Sequence, residues 1–407
     1  MCQINWKDKR VIFLTLSSVL LFASCATPTK YDVSVRYPVA FETAIRSLAD
    51  TLLQEVERKR AQWDFSRKDI VLDPFIDVAS GEIVKVSHKI EQVIFQETTR
   101  NFEKIRITQI TPRNLRGADY VLNGVIDFTD YKALGSEKTE KYYQVSASIV
   151  NLKNGEIIAN AERWISDKDL DYTPDPIYSD SPTYIKDKTT ENRIATAKTP
   201  AGQPAQEDYY STLDTHALLV EAEMLYAQAD LKKALQLFKR ASTRKDGQTM
   251  KTFAGLYEAN YKLKDMEAAE EAFGQLLTAS VKENNKLNVK FLFDVNSVDF
   301  INNVSLRHQY SVWLLQLNKF FKENNYCFHI VGHSSHTGAS RYNETLSLAR
   351  AKKVQELMKE ASFPEILERS KATGKGFQEN LVGSGTDDAR DAIDRRVEFL
   401  LVNCGNL

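Results

Sequence analysis

The pattern of apolar and polar positions predicts an α/β unit from residue 31 to about residue 165. Apolar residues recur at helical spacing over 41–56 and again over 86–95, which indicates two amphipathic helices. Four short apolar runs are typical of strands: 70–72, 105–107, 120–128 and 143–150. Asn154-Gly155 then predicts a tight hairpin turn into one more strand.

The composition changes between residues 166 and 208. Five of the ten prolines lie in this stretch, mixed with serine, threonine, aspartate and lysine. A segment of this kind does not bury enough apolar surface to fold by itself. The sequence therefore predicts a linker between two folded parts of the chain.

A helical pattern with an internal repeat follows, from residue 209 to residue 283. Four residues recur 35 positions later with the same identity: Tyr226, Asp230, Ala234 and Phe238 return as Tyr261, Asp265, Ala269 and Phe273. The period is close to the roughly 34 residues of a tetratricopeptide repeat, and 262–269 resembles the turn between the helices of such a repeat. A protein partner is expected to bind there. A plain helical hairpin with coincidental matches is the alternative.

The last stretch, from residue 287 to residue 404, has a predicted βαβαββ order. Strands are predicted at 291–294 and 328–331, and helices are predicted to begin near Leu306 and Tyr342.

The chain has 407 residues, which is room for two or three cores. We therefore predict a multidomain α+β protein with an α/β domain, a linker, helical hairpins and this C-terminal domain.

Four motifs lie in the C-terminal stretch: GHSSHTG at 332–338, YN at 342–343, LSLARA at 346–351 and RRVE at 395–398. Together they resemble the OmpA-like peptidoglycan-binding domain shared by OmpA, Pal and MotB. The resemblance implies non-covalent binding of the diaminopimelate residue in a peptidoglycan stem peptide. The free end of that residue carries an ammonium group and a carboxylate side by side.

The resemblance assigns roles to four residues. Arg350 occupies the position of the arginine whose planar guanidinium binds the ligand carboxylate. Asn343 fits the asparagine that hydrogen-bonds the ligand, and Arg395 lies in the segment that lines the same pocket. Ser335 stands where the family places an aspartate for the ammonium. A hydroxyl brings no charge, so binding weakens by about ten- to a hundredfold unless a carboxylate such as Asp294 replaces it.

Two departures from the family pattern leave an alternative open. Ser335 is the first, and Asp394 in place of the usual asparagine before the RRV segment is the second. An OmpA-like fold that is kept for structure or for protein contacts, with ligand binding lost, is the competing interpretation.

The first 24 residues predict a secretory signal. A basic start at 7–10 is followed by an apolar run over 11–22 that is too short to span a bilayer. The segment that ends in Cys25 resembles the lipobox of bacterial lipoproteins, although Phe22 departs from the commoner leucine. The resemblance implies an acylated Cys25 that holds the chain at the periplasmic face of the outer membrane, since Ala26 is not the aspartate of inner-membrane retention. An ordinary signal with an incidental cysteine is the alternative.

Two short segments of the α/β unit carry a second resemblance. Asp73-Pro74-Phe75 and the run 117–124 resemble the periplasmic α/β domain of the CsgG, FlgO and LpoB lipoproteins. That domain has no catalytic signature, and its role in this chain is left open.

Composition limits the remaining function classes. The net charge is −1, which does not favour a nucleic-acid partner. Catalytic motifs and phosphate loops are not recognisable, so we predict neither an enzyme nor a cofactor. His329, His333 and His336 lie close in sequence, but no carboxylate pattern accompanies them, and we predict no metal site.

Two cysteines remain after Cys2, which leaves with the signal, and the proposed lipid site. Cys327 and Cys404 are free either to form a disulfide in an oxidising periplasm or to stay reduced, and their spacing alone does not decide between the two.

Two functions from different classes agree with this sequence. The first is an outer-membrane lipoprotein that grips peptidoglycan and tethers or scaffolds the cell envelope. The second is a regulatory accessory of an envelope machine, such as a cell-wall synthase, a secretion system or a flagellum, in which the OmpA-like domain is weakened for its ligand.

Overall fold

The computed structural model describes residues 37–59, 64–184, 186–287, 289–361, 364–382, 385 and 390–407. The predicted signal segment and Cys25 lie outside these residues. The chain mixes helices and sheets, which agrees with the predicted α+β class. Within the described residues, the helices are all too short or too polar to cross a membrane.

The N-terminal region is built on one six-stranded sheet. Its strands are β1 (Lys68–Leu72), β2 (Ile76–Asp77), β3 (Ile105–Gln109), β4 (Tyr120–Lys132), β5 (Thr139–Asn151) and β6 (Ile157–Ile165). The strand order is β3-β1-β4-β5-β6, with β2 beside β4. β1 runs parallel to β3 and β4, whereas β4, β5 and β6 form an antiparallel meander. The helices of this region are α1 (Phe41–Arg58), α2 (Lys85–Asn101) and α3 (Pro112–Leu115).

The two faces of this sheet are covered by different parts of the chain. α1 and α2 pack on one face, where Leu122 and Ile149 are fully buried. The alternate residues of the same strands, such as Val121 and Val150, point to the other face and pack against residues 209–220. Every strand and helix that periodicity predicted in this region is present. A sheet with two covered faces needs apolar residues on both, and this produces the apolar strand runs that the sequence shows.

The segment predicted to be a linker is a folded cover for the second face of the sheet, which corrects that prediction. It contains α4 (Pro176–Asp180), α5 (Lys188–Lys198) and α6 (Glu207–Tyr210). Polar side chains of the sheet bind the backbone of α5: Asn123 Nδ2 donates to the Arg193 carbonyl at 2.8 Å and Ser148 Oγ to the Thr196 carbonyl at 3.0 Å. The segment has no apolar core of its own. It is ordered by these hydrogen bonds and by Ile177, Tyr178 and Ala197, which are buried in a core shared with the rest of the chain.

Two antiparallel helical hairpins follow. They consist of α7 (Leu213–Ala227), α8 (Leu231–Ser242), α9 (Met250–Lys262) and α10 (Met266–Asn284). Asp230 and Asp265 cap α8 and α10, and each follows a residue with positive φ, Ala229 at 62° and Lys264 at 65°. The two turns are equivalent in geometry, as the 35-residue repeat predicts. Membership of the tetratricopeptide family stays a prediction.

The C-terminal domain has a four-stranded sheet in the order β7-β10-β8-β9. Its elements are β7 (Lys286–Leu287), α11 (Val304–Asn324), β8 (Cys327–Gly332), α12 (Ser340–Glu360), α13 (Ile366–Arg369), β9 (Ser370–Gly374) and β10 (Val397–Val402). β8 and β9 are parallel, and β10 is antiparallel to β7 and β8. The predicted βαβαββ order is present, but the first strand is β7, and Phe293 makes only an isolated bridge with Phe300.

The end of the C-terminal domain is covalently joined to its sheet. Cys327 at the start of β8 and Cys404 after β10 form a disulfide, with their Cα atoms 5.0 Å apart. β8 and β10 are neighbouring strands, so the pairing of the sheet brings the two cysteines together. The disulfide closes a covalent loop that contains β8, α12, α13, β9 and β10.

Candidate binding site of the C-terminal domain

Two glycines set the position of the candidate site. A Cβ atom on Gly332, at the end of β8, would collide with the carbonyl of Ser347, and one on Gly374 would crowd the carbonyl of Glu344. Both carbonyls belong to α12, so only glycine lets the ends of β8 and β9 approach this helix so closely. The loop 333–338, which follows β8, is thereby held against the first turns of α12.

Arg350 on α12 is fully buried and joins two loops. Its Nη1 donates to the His333 carbonyl at 3.0 Å, its Nε to the Ser297 carbonyl at 3.0 Å and its Nη2 to the Asp294 carbonyl at 2.9 Å. The guanidinium also lies over the ring of Phe293, 5.2 Å from its centroid. In this arrangement Arg350 holds the loop 293–299 against the loop 333–338.

The other predicted residues belong to the same two loops. Arg395 donates from Nε to the Phe293 carbonyl at 3.1 Å, so it supports the loop 293–299 beside Arg350. Asn343 Nδ2 donates to the Thr337 carbonyl at 2.6 Å and to the Ala339 carbonyl at 3.2 Å, which fixes the end of the loop 333–338. Ser335 lies within that second loop. The structure therefore gathers all four predicted residues around the two loops.

The candidate site is closed in this structure. Ser335, Asn343, Arg350 and Arg395 are each at most 5% exposed. Three donors of Arg350 are engaged by backbone carbonyls of its own chain, which occupy directions that a ligand carboxylate would take. A ligand reaches the guanidinium only after the loop 293–299 or the loop 333–338 has moved.

Sequence reasoning did not assign a role to Asp394 beyond noting it as a substitution. This residue is fully buried, and its Oδ1 accepts the backbone N–H of Leu381 at 2.6 Å and of Val382 at 3.1 Å. An asparagine side-chain oxygen makes the same contacts without the charge.

The side chain of Asp294 lines an open cleft with Asp299 and Arg307. That Asp294 replaces the charge missing at Ser335 stays a prediction.

The three histidines do not form a metal centre in the described part of the chain. No group of three histidine, cysteine, aspartate or glutamate side chains among the described residues has the geometry to hold an ion. His333 is fully buried, and burial together with the nearby Arg396 lowers its pKa to about 3. It is therefore neutral at physiological pH, and its backbone N–H donates to the Arg396 carbonyl at 2.9 Å.

The sequence of this domain matches a known family. Residues 302–394 match the model of the OmpA family. The C-terminal domain is OmpA-like. The match includes Ser335, Asn343 and Arg350 and stops one residue before Arg395. It spans less than a quarter of the chain, so it assigns this domain and leaves the N-terminal region and the helical hairpins unassigned.

No curated protein matches the chain closely enough to count as a relative. Among solved structures, the chain is similar to the peptidoglycan-associated lipoprotein from Burkholderia pseudomallei, with 23% identity and a TM-score of 0.24 over 29% of this chain and 89% of that one. It is also similar to the cell wall anchor of the T6SS from Pseudomonas aeruginosa, with 23% identity and a TM-score of 0.23 over 28% and 79% of the two chains.

A third similar structure is the C-terminal domain of Helicobacter pylori MotB, with 14% identity and a TM-score of 0.23 over 29% of this chain and 86% of that chain. TM-scores this low add no argument of their own. The assignment of the OmpA-like domain depends on the family-model match.

Proposed function

We propose that this chain is an envelope-associated binding protein whose OmpA-like domain holds peptidoglycan non-covalently through the stem peptide. The observation that carries the proposal is the match of residues 302–394 to the OmpA family, since that segment includes Arg350, Asn343 and the 333–338 loop. The role is binding and not catalysis.

Binding in this proposal exchanges one set of acceptors for another. The Arg350 donors leave the carbonyls of Asp294 and Ser297 and take the ligand carboxylate. A ligand carboxylate adds a counter-charge and can accept two parallel hydrogen bonds from the guanidinium, neither of which a neutral carbonyl offers, and this favours the exchange. The loop 293–299 loses its attachment to α12 at the same time. Ligand binding is therefore coupled to a movement of that loop.

The test is co-sedimentation of the full chain with purified peptidoglycan sacculi. Arg350→Ala is expected to abolish binding, and Arg350→Lys to restore it only in part because lysine lacks the planar fork. Ser335→Asp is expected to strengthen binding, most at low salt, because it supplies the charge for the ligand ammonium. The matched control is Arg341→Ala, an exposed arginine on the same helix, which is expected to bind as the parent does.

Arg350 also supports the fold, so thermal melting of each variant accompanies the binding measurement. Ser335→Asp is the decisive variant, because it adds a group and removes none of the described contacts of Arg350. Equal binding by the parent, Arg350→Lys and Ser335→Asp would show that the domain does not use this site.

We further propose that the chain is anchored in the outer membrane through acylated Cys25 and faces the periplasm. Serine has no thiol for acyl transfer, so Cys25→Ser is expected to move the protein into the soluble periplasmic fraction. Retention of this variant in the membrane fraction after a high-salt wash would contradict the lipid anchor. A protein partner on the helical hairpins completes the tether.

The accessory function is the second candidate, and the closed site favours it. Arg350 is engaged by its own loops, and Ser335 lacks the charge of the family aspartate. Sacculus binding that appears only when a partner protein is added would support the accessory function, whereas binding by the chain alone supports the tether.

A further inference from the structure

A cavity of about 200 Å³ lies between three parts of the chain: the N-terminal region, the segment 172–184 and the OmpA-like domain. Its walls are mainly apolar and include Val84, Phe128, Tyr172, Leu306 and Ile393. A cavity of about 150 Å³ is large enough for benzene, so this one holds a somewhat larger molecule. Ligand sites are often found at such domain junctions, as apolar cavities with a few polar groups.

The one lysine among the described cavity residues already has partners for its charge. Lys290 Nζ lies 2.9 Å from Glu82 Oε1, donates to the Tyr178 carbonyl at 2.7 Å and sits 4.4 Å from the centroid of the Tyr184 ring. Both charged side chains of this pair are nearly buried. Lys290 and Glu82 therefore neutralise each other, and the described residues of the cavity leave no further cation for an anionic ligand.

Unlike Lys290, the carboxylate of Asp77 has no partner of opposite charge among the described residues. Asp77 is 5% exposed, and its Oδ2 accepts the backbone N–H of Ser80 at 2.7 Å and the Ser80 hydroxyl at 2.8 Å. Within the described residues, no lysine, arginine or histidine lies within ion-pair distance of it. The other aspartate of the cavity, Asp127, already pairs with Lys198 at 3.0 Å. Asp77 is thus a buried acid without a counter-cation in the described part of the chain.

A second polar group in the cavity lacks a partner. Tyr184 is 7% exposed, and its hydroxyl has no hydrogen-bond partner among the described residues. A buried hydroxyl without a partner has lost its hydrogen bonds to water without replacing them, so native proteins rarely keep one without a use. The cavity therefore contains an acid without a counter-cation and a hydroxyl without a hydrogen-bond partner in the described part of the chain.

We propose that this cavity binds a small organic cation, with one ammonium group on an apolar or aromatic body. The ammonium pairs with Asp77 and hydrogen-bonds the Tyr184 hydroxyl, and the body fills the space between Val84, Leu306 and Ile393. Charge selects the cation: an anion would meet Asp77 with Lys290 already engaged by Glu82. The bound cation contacts both the N-terminal region and the OmpA-like domain and holds them together. This site is separate from Arg350 and does not depend on peptidoglycan binding.

Isothermal titration calorimetry of the full chain with phenethylammonium chloride tests the site. We expect saturable binding near neutral pH and at least about tenfold weaker binding of phenylacetate, which has the same ring and the opposite charge. Asp77→Asn keeps the shape of the side chain and is expected to weaken binding of the amine about tenfold or more. Leu306→Trp fills the cavity and is expected to abolish binding.

Asp127→Asn is the matched control, since it removes a carboxylate of the same cavity whose charge Lys198 already neutralises. It is expected to change the affinity less than about threefold. Melting curves of all variants establish that each is folded. Equal binding of phenylacetate, an unchanged affinity in Asp77→Asn, or no saturable binding at millimolar amine would each overturn the proposal.

Discussion

Two buried aspartates beside the first two strands of the N-terminal sheet have opposite surroundings. Asp73 lies just after β1, and its Oδ1 is 2.9 Å from Arg193 Nη2 and 2.7 Å from His216 Nε2, while Tyr209 donates to its Oδ2 at 2.9 Å. The carboxylate of Asp77, four residues later, accepts two hydrogen bonds from Ser80 and has no ion-pair partner among the described residues.

The pKa values follow these surroundings. Burial alone would raise the pKa of Asp73, but Arg193, His216 and Tyr209 together hold it well below its usual range. Burial raises the pKa of Asp77 to about 6, against the opposing hydrogen bonds from Ser80. Asp73 joins α5, α6 and α7 to the sheet. The carboxylate of Asp77 has no counter-cation among the described residues, and in our proposal it binds a cationic ligand. The comparison teaches that burial of a carboxylate does not by itself indicate a structural role.

The largest expected effect comes from Asp73→Ala. The change leaves Arg193 buried without its counter-charge, which typically costs about 3–5 kcal/mol. Urea unfolding at neutral pH measures the loss. The control is Asp69→Ala on the same strand, whose exposed pair with Arg106 is worth about 1 kcal/mol or less. Equal losses in both variants would show that the contacts of Asp73 do not hold the helices to the sheet.

The contribution of Asp73 to the free energy of unfolding decreases as the pH falls. Its pKa is lower in the folded chain than in the unfolded chain, so the stabilisation is present above the unfolded value of about 4. It declines as the pH falls below that value. The difference between the parent and Asp73→Ala is therefore expected to shrink in acid, and a constant difference would contradict the assigned charge.

The next largest effect is of opposite sign. The folded pKa of Asp77 is about 6, above the unfolded value, so its ionisation opposes folding as the pH rises from about 4 to 6. Asp77→Asn removes this penalty and is expected to stabilise the ligand-free chain by about 3 kcal/mol at pH 7.5 and hardly at all at pH 4. Melting temperatures at the two pH values measure the change. A destabilised variant at pH 7.5 would indicate that a cation already neutralises Asp77.

The smallest effect comes from a single hydrogen bond. Tyr209→Phe removes the donor to Asp73 Oδ2 and is expected to cost about 1 kcal/mol of unfolding free energy. Because the hydrogen bond needs both partners, the same change in the Asp73→Ala background is expected to cost less. A double-mutant cycle measures this coupling, and additive losses would show that the two side chains do not interact.

The sequence predicted the elements of this fold better than it predicted the contacts between them. Helices and strands of the sheet follow from local periodicity, and the Asp230 and Asp265 caps lie at the repeated turn positions. The partners of Asp73 are distant in sequence: Tyr209 follows it by 136 residues and His216 by 143. Local patterns do not contain such pairings, so Asp73 appeared only as part of a short family-like segment.

Arg350 shows the same limit at the candidate site. Its type and position predicted a guanidinium aimed at a ligand, and the structure does place it between the two loops of the site. It donates to three backbone carbonyls, of residues 294, 297 and 333, and every residue type supplies a carbonyl. Sequence motifs therefore identify the donor, but not the acceptors that compete with a ligand.

The cover that α5 and its neighbours form over the sheet determines where the chain can be divided. A fragment that ended at residue 165 would expose Val121 and Val150 to water and leave Asn123 and Ser148 without the carbonyls they bind. An autonomous folding unit at the N-terminal side must therefore extend at least through α7, to residue 227. Limited proteolysis is expected to spare the stretch 166–208 despite its prolines, and a protease-resistant fragment would retain it.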